Sequence, residues 1–461
     1  NATIQGAVDG VTGTATISVI APVQSCSSGP VTVDLAVGQV KVLSSTETGG
    51  CIKIASTGSG SQYIVITANT NSNPDGFPTF ALKSDEGETI PSSSLLVSPM
   101  KIAAQVSIAP ADQPGLAQVK FESSLRATET RDLDLNVAQR AYASRSVDTQ
   151  LRKSVSVAIP NVGDKTTFKV PAKFDASGKS LGGSCSNFTS VTATARYIST
   201  RAIIYTDDAS PAAGFTDPDL QEIGTEFDNL IYPTDVDYFG TPLDLDNNSR
   251  VIMLYTPLVN RLTDANSSGF VGGFFFVGDL FPSTGTNSCA QSNMAEIFYL
   301  LAPDPSGTIN NNVRTRDQVR QGTRGTIAHE FQHMINGSGR IRNPLTVNFE
   351  STWLDEGLAH FAEDLNGRAL KGFNDTDNYT FAQVSMNNND YNAFFFQNFA
   401  RMKVYLQNPG PSAPTSQFAD TSLADRGAAW SLIHYAADQY APGGDIKAFD
   451  KALVAGPDNG T

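Results

Sequence analysis

His329 and His333, with Glu330 between them in Thr326-Ile-Ala-His-Glu-Phe-Gln-His-Met-Ile-Asn336, constrain this chain more than any other feature. Ile327, Phe331 and Met334 or Ile335 recur every three to four residues, so the stretch reads as a helix with one core-bound face. On such a helix, imidazoles four residues apart stack on one face with their Cβ atoms about 5 to 6 Å apart, a separation that suits two ligands of one tetrahedral zinc. The fold must therefore bury this helix, keep the histidine face beside a cavity, and bring a further donor from another element. With four histidines and twelve glutamates in 461 residues, a chance His-Glu-x-x-His arises on the order of once in a thousand such chains.

A catalytic zinc takes three protein ligands and keeps a fourth position for water. Glu356 is the expected third ligand. It follows His333 in Thr352-Trp-Leu-Asp-Glu-Gly-Leu-Ala-His-Phe-Ala-Glu-Asp364, where Leu354, Leu358 and Phe361 mark the buried face of a second helix. Asp355, His360 and Glu363 compete for the same role. Three of the four histidines and four of the twelve glutamates fall between 329 and 363, a concentration that a purely structural helix pair does not need. Gly339 stands where a metzincin would carry a further histidine, which excludes that subclass.

The rest of the chain reads as several domains. Residues 1–21 are expected to be the end of a preceding Ig-like repeat, lacking a partner strand of their own. Residues 22–100, with short alternating runs at 31–37, 39–43 and 62–68 between Gly, Ser, Asn and Pro, are expected to form an all-β sandwich module. Residues 101–190 read as a connector, helical from 116 to 152 and then extended at 154–159 and 166–170. Residues 191–461 are expected to be an α+β domain with a mixed sheet, the His-Glu-x-x-His helix and a mainly helical C-terminal half. Within it a strand is expected over 192–205, a helix capped by Thr216 over 218–231 and ended by Pro233, and strands at 251–255, 272–280 and 295–301. Helices are expected over 393–406, where Phe394 to Phe396 read as core, and over 428–440.

A formal net charge of −14 excludes a phosphate-backbone partner. No apolar run is long enough to span a membrane. The four cysteines contain no Cys-x-x-Cys, so a thiolate metal site is not expected; pairing of Cys26 with Cys51 and of Cys185 with Cys289 stands against four buried thiols. Sparse lysine, abundant Ser, Thr, Asn and Gly, and a start at Asn1 without a leader suggest a processed, exported protein, extracellular or at the cell surface.

His329-Glu-Phe-Gln-His-Met-Ile-Asn336, followed by Trp353-Leu-Asp-Glu-Gly-Leu-Ala359, resembles the gluzincin pattern and, within it, the hyicolysin family of secreted bacterial neutral metallopeptidases. The likeness runs from roughly 190 to 440 and includes Ala202-Ile-Ile-Tyr205, Phe239-Gly-Thr-Pro242 and Gly272-Gly-Phe-Phe275. It implies a zincin-type fold, zinc held by His329, His333 and Glu356, Glu330 as general base and proton shuttle, and protein or peptide substrates. One departure is His360, which stands where gluzincins often carry an acid that orients a ligand histidine.

The expected chemistry is attack of a metal-activated water on a peptide carbonyl, with Glu330 taking the proton and passing it to the leaving amine. Oxyanion donors are sought at His434 and Tyr435, then Tyr391, and a substrate strand is expected to add to the edge formed by 295–300. Asp244, Asp246 and Asn248 resemble the start of a calcium loop without its central glycine and closing glutamate. Two other functions stay open: a gluzincin-type aminopeptidase, and a non-catalytic adhesive or structural protein stabilised by zinc. In the leading reading, a secreted zinc endopeptidase, the N-terminal β-module is expected to bind a surface, a partner or its own catalytic domain.

Overall fold

The computed structural model describes residues 2–8, 11–17, 31–36, 39–48, 52–54, 115–151, 158–174, 185–407, 409, 412–415 and 422–460. The chain divides into two compact units, residues 1–102 and 103–461. In the first, β1 (Ala2–Val8) and β2 (Val11–Ile17) form an antiparallel hairpin with Ala2 opposite Ile17, so the two opening runs partner each other. Strands β3 (Val31–Val33) and β4 (Ile52–Ile54) pair in parallel, and α1 (Ser45–Thr48) lies between them in sequence. Residues 39–43, expected as a strand, are not one. The strand expected at 62–68 and the pair Cys26 and Cys51 lie outside the described residues.

The second unit begins with two 17-residue helices, α2 (Leu116–Asp132) and α3 (Leu135–Leu151). A six-stranded mixed sheet follows, built from β5 (Lys165–Val170), β6 (Thr189–Ile198), β7 (Ala202–Asp207), β8 (Val251–Thr256), β9 (Gly273–Phe275) and β10 (Ile297–Leu301). Its order is β5-β6-β7-β8-β10-β9; β7, β8 and β10 run parallel, and both flanks are antiparallel. All residues of β8, β9 and β10 are buried, which explains their continuous apolar runs rather than alternation. Two expectations change here. The connector at 101–190 supplies β5 and the start of β6, so it belongs to this sheet; and β10 is an inner strand, which leaves β9, not 295–300, as the edge next to the helical half.

Helix α4 (Asp217–Glu226) starts at a reciprocal cap between Thr216 and Asp219, as expected. Pro233 does not end it. A π-turn over Phe227–Ile231 carries the chain into α5 (Tyr232–Phe239), and this local widening precedes the point where Pro233 cannot donate. After α6 (Pro257–Asn260), the 27-residue α7 (Arg316–Arg342) is opened by a capping box in which Thr315 and Gln318 bond each other's backbone N–H. From Ile327 to Ile341 almost every residue of α7 is buried, polar ones included, so the helix is enclosed on all sides.

Helix α8 (Thr352–Lys371) packs beside α7 and ends at Gly372 in the left-handed region, φ 70°. The C-terminal half continues as α9 (Phe381–Ser385), α10 (Asn388–Phe394), α11 (Phe396–Gln407), α12 (Leu423–Tyr440) and α13 (Ile446–Ala455). Phe394 and Phe395 are core residues, as the sequence suggests, while Phe396 is 42% exposed. Helices α11 and α12 approach closely because a side chain at Gly427 would collide with the backbone of Arg401 and Met402. Cys185 and Cys289 form the expected disulfide.

Candidate metal centre

The helical period brings His329 and His333 together on α7, and α8 delivers Glu356 to the same point. His329 Nε2 lies 3.1 Å from His333 Nε2 and 3.3 Å from Glu356 Oε2, and His333 Nε2 lies 3.5 Å from the same oxygen. Tetrahedral ligands at about 2.0 to 2.1 Å from zinc stand roughly 3.3 to 3.4 Å apart. The donor triangle therefore has the dimensions of one face of a zinc tetrahedron. All three residues are at most 3% exposed. Among the described residues, Glu330 Oε1 and Glu356 Oε1 are buried without a hydrogen-bond partner, a condition that a cation and its water would relieve.

Each candidate ligand is backed by another group. Glu363 Oε1 faces His329 Nδ1 at 2.8 Å and His360 Nδ1 at 2.9 Å, and Asn398 donates to Glu363 Oε2 at 3.0 Å. Asp355 Oδ2 is 3.0 Å from His333 Nδ1, while its Oδ1 accepts from Asn336 at 2.6 Å. Arg426 on α12 is ion-paired with Glu356 Oε2. The acid missing at His360 is thus supplied one turn further along α8 by Glu363. Asp355, His360 and Glu363, weighed as ligands, sit behind the donor triangle. A second group, His329, His360 and Glu363, could also gather a cation. Arg401, 3.0 Å from His360 Nδ1, already places a positive charge there.

Burial dominates the electrostatics. It pushes the Glu330 carboxyl up to about 7 against the pull of the His329 and His333 rings. Burial would also raise Glu363, but the His360 and His329 rings hold its carboxyl well below the usual range. Burial and the Arg401 cation push the His360 imidazole down to about 3, so this ring is neutral. Burial disfavours the His333 cation, yet Asp355 and Glu356 push this imidazole up to about 9 in the absence of metal.

Helix α2 contributes what the sequence did not disclose. Glu122, 1% exposed, places Oε1 3.5 Å from His329 Nε2. Arg126 lies 3.5 Å from Asp355 and 3.7 Å from Glu356. Arg401, Asn398 and Arg426 were likewise missed; an isolated Arg or Glu on a helix reads as a solvated position until the opposing face is known. The oxyanion candidates are placed elsewhere. His434 Nε2 faces Asp364 Oδ2 at 2.9 Å, Tyr435 packs against Tyr440, and Tyr391 sits among Phe381, Phe396 and Phe399. The cleft beside His329 and Glu330, a cavity of about 360 Å³, is lined by none of the three.

At the acidic loop, Asp244 Oδ1 accepts from the Asn248 and Ser249 N–H groups and Asp246 Oδ1 from Asn248 N–H. Asn248 Oδ1 accepts from Arg250 N–H. Asn248 is thus engaged with both aspartates, and the further carboxylate beside them is Glu296. These carboxylates stabilise a turn before β8, and calcium gains no support from them.

No protein-family model matches the chain. It is similar to the neutral metalloprotease ShpI of Staphylococcus hyicus, at 31% identity over 150 residues. The matched stretch is 32% of this chain and 31% of that protein, so the chain spans about a third of the length of the curated relative.

Proposed function

We propose that the chain is a zinc-dependent endopeptidase of the gluzincin type, similar to the hyicolysins, with His329, His333 and Glu356 as ligands and Glu330 as general base. The observation that carries this reading is the donor triangle of 3.1, 3.3 and 3.5 Å, with both histidines buttressed by carboxylates. Zinc bound there would polarise a water and a substrate carbonyl and bring the water's pKa toward about 7. Glu330 does the proton work. Burial raises its carboxyl above the usual range, which favours proton uptake, and Phe275 N–H holds Oε2 at 2.8 Å so that Oε1 is free to take a proton and return it to the leaving amine.

Glu363 engages Nδ1 of His329 and so presents its Nε2 to the metal, while Asp355 places a carboxylate 3.0 Å from Nδ1 of His333. A Glu between two ligand histidines serves hydrolysis and would be superfluous in a zinc site that only stabilises a fold. The similarity to a neutral metalloprotease supports protein substrates, and the Cys185–Cys289 disulfide supports an oxidising, extracellular location.

Glu330→Gln tests the assignment. It should retain stoichiometric zinc and lose hydrolysis of casein and of an internally quenched peptide by at least a hundredfold. Hydrolysis at the wild-type rate in zinc-replete Glu330→Gln would remove the proposed base. Product mapping separates internal cleavage from amino-terminal trimming.

A further inference from the structure

Strand β9 is the sheet edge beside the metal centre, and an extended peptide would bind there through the strand's outward N–H and C=O groups. In this structure side chains of α2 hold the Gly273 and Phe275 carbonyls of that edge and one N–H group on either side of the strand, while Phe275 N–H is held by Glu330. Gly272 N–H donates to Gln118 Oε1 at 2.7 Å, and Gln118 Nε2 donates to Gly273 O at 2.7 Å. Arg126 Nη2 donates to Phe275 O at 3.2 Å, and Val277 N–H donates to Glu129 Oε1 at 2.8 Å. Gln118, Glu122, Arg126 and Glu129 follow one another at helical spacing, so one stripe of α2 lies along the edge.

Glu122 sits at the middle of that stripe. Its Oε1 accepts from Gln118 at 2.5 Å and lies 3.5 Å from His329 Nε2, while Oε2 lies 3.1 Å from Arg426. Its carboxylate belongs to a possible cation-binding group with His329 and Glu330. The space around the centre is divided by the helix. The larger cavity is lined by Gln118 and Glu122 with His329 and Glu330, and a small one by Arg126 and Glu129 with His333 and Asp355.

From this geometry, and resting on the metallopeptidase reading above, we propose that α2 is an internal occupant of the substrate cleft and that it holds the chain latent. Glu122 presents a carboxylate beside the metal ligands where the attacking water and substrate carbonyl must enter. Gln118 and Arg126 occupy the β9 carbonyls that a substrate strand would pair with, and Glu129 holds the Val277 N–H just beyond them. Displacement of α2 is the activating event.

The test uses the full chain, as wild type, Glu122→Gln and Gln118→Ala. The Co²⁺-loaded forms are titrated with acetohydroxamate and followed by their visible spectrum, and the zinc-loaded forms are assayed on an internally quenched peptide. Glu122→Gln keeps the volume and hydrogen-bonding capacity but is a poor metal ligand, so its Co²⁺ spectrum should change and its hydroxamate affinity should rise at least tenfold. Peptide kcat/KM should rise in both variants. Gln118→Ala, at a partly exposed position, keeps the question open to refutation if Glu122→Gln misfolds. Tighter hydroxamate binding without hydrolysis in any form would support the occupant and sink the peptidase reading. Hydrolysis by the wild type at a rate and hydroxamate affinity that neither variant raises would overturn the occupant and leave the peptidase reading intact.

Discussion

Three candidate donor groups share His329, and replacing Glu363 or His360 decides between the two that do not include Glu122. If His329, His333 and Glu356 hold the metal, Glu363 is the buttress of one ligand. Its Oε1 bridges His329 Nδ1 at 2.8 Å and His360 Nδ1 at 2.9 Å from a site 7% exposed. Loss of such a partner typically weakens metal binding 10- to 100-fold, or about 1.4 to 2.7 kcal/mol. Glu363→Gln retains an acceptor for the Nδ1 proton but loses the charge, so it should fall near the tenfold end. Glu363→Ala leaves His329 free to rotate and change tautomer, and should fall near the hundredfold end. His360 packs its ring against His329, centroids 4.6 Å apart, but offers no atom to the donor triangle, so His360→Ala should change zinc affinity several-fold at most, whereas Glu356→Ala should lose stoichiometric zinc. The measurement is competition for Zn²⁺ with a chromogenic chelator, with thermal unfolding of the metal-free proteins as the folding control. Stoichiometric zinc in Glu356→Ala together with its loss in His360→Ala would refute the assignment and place the metal at His329, His360 and Glu363.

Two further outcomes follow from the surrounding fold. Burial, with Asp246 and Asp244 adding to it, raises the Glu296 carboxyl from 4.5 to about 8. The folded protein then keeps a proton that the unfolded chain has released, so this residue's contribution makes stability fall as pH rises from about 4.5 to about 8 and level off above. Glu296→Gln should flatten that part of a denaturant-midpoint profile, and an unchanged slope would contradict the burial argument. The Cys185–Cys289 bridge closes 104 residues of chain, and Cys185→Ser with Cys289→Ser should cost about 2 to 5 kcal/mol in urea unfolding; a loss under about 0.5 kcal/mol would show that the crosslink does not constrain the unfolded chain.

Much of the centre was legible because it depends on short-range geometry. A helical period places His329 and His333 in register whatever packs against them, and Glu356 is readable because α8 follows α7 after a short connection. Thr216 and the buried strands β8 and β10 were readable for the same reason, since a capping box and a continuous apolar run are local signals. Pro233 misled because a π-turn absorbs its missing donor, and that accommodation is invisible in a propensity.

What the sequence determined by itself is the pair of histidines on one helix face with Glu330 between them, a consequence of 3.6 residues per turn, and a candidate third donor on the next helix. What only the tertiary structure decided is everything that faces them: Glu363 in place of an acid at 360, Arg426 on Glu356, β9 rather than β10 as the edge, and α2 across the cleft. Charged residues such as Glu122 and Arg126 carry no mark of burial in a linear pattern. Their desolvation is offset by neighbours on the same helix and by partners more than two hundred residues away, and chain folding alone brings the distant ones together.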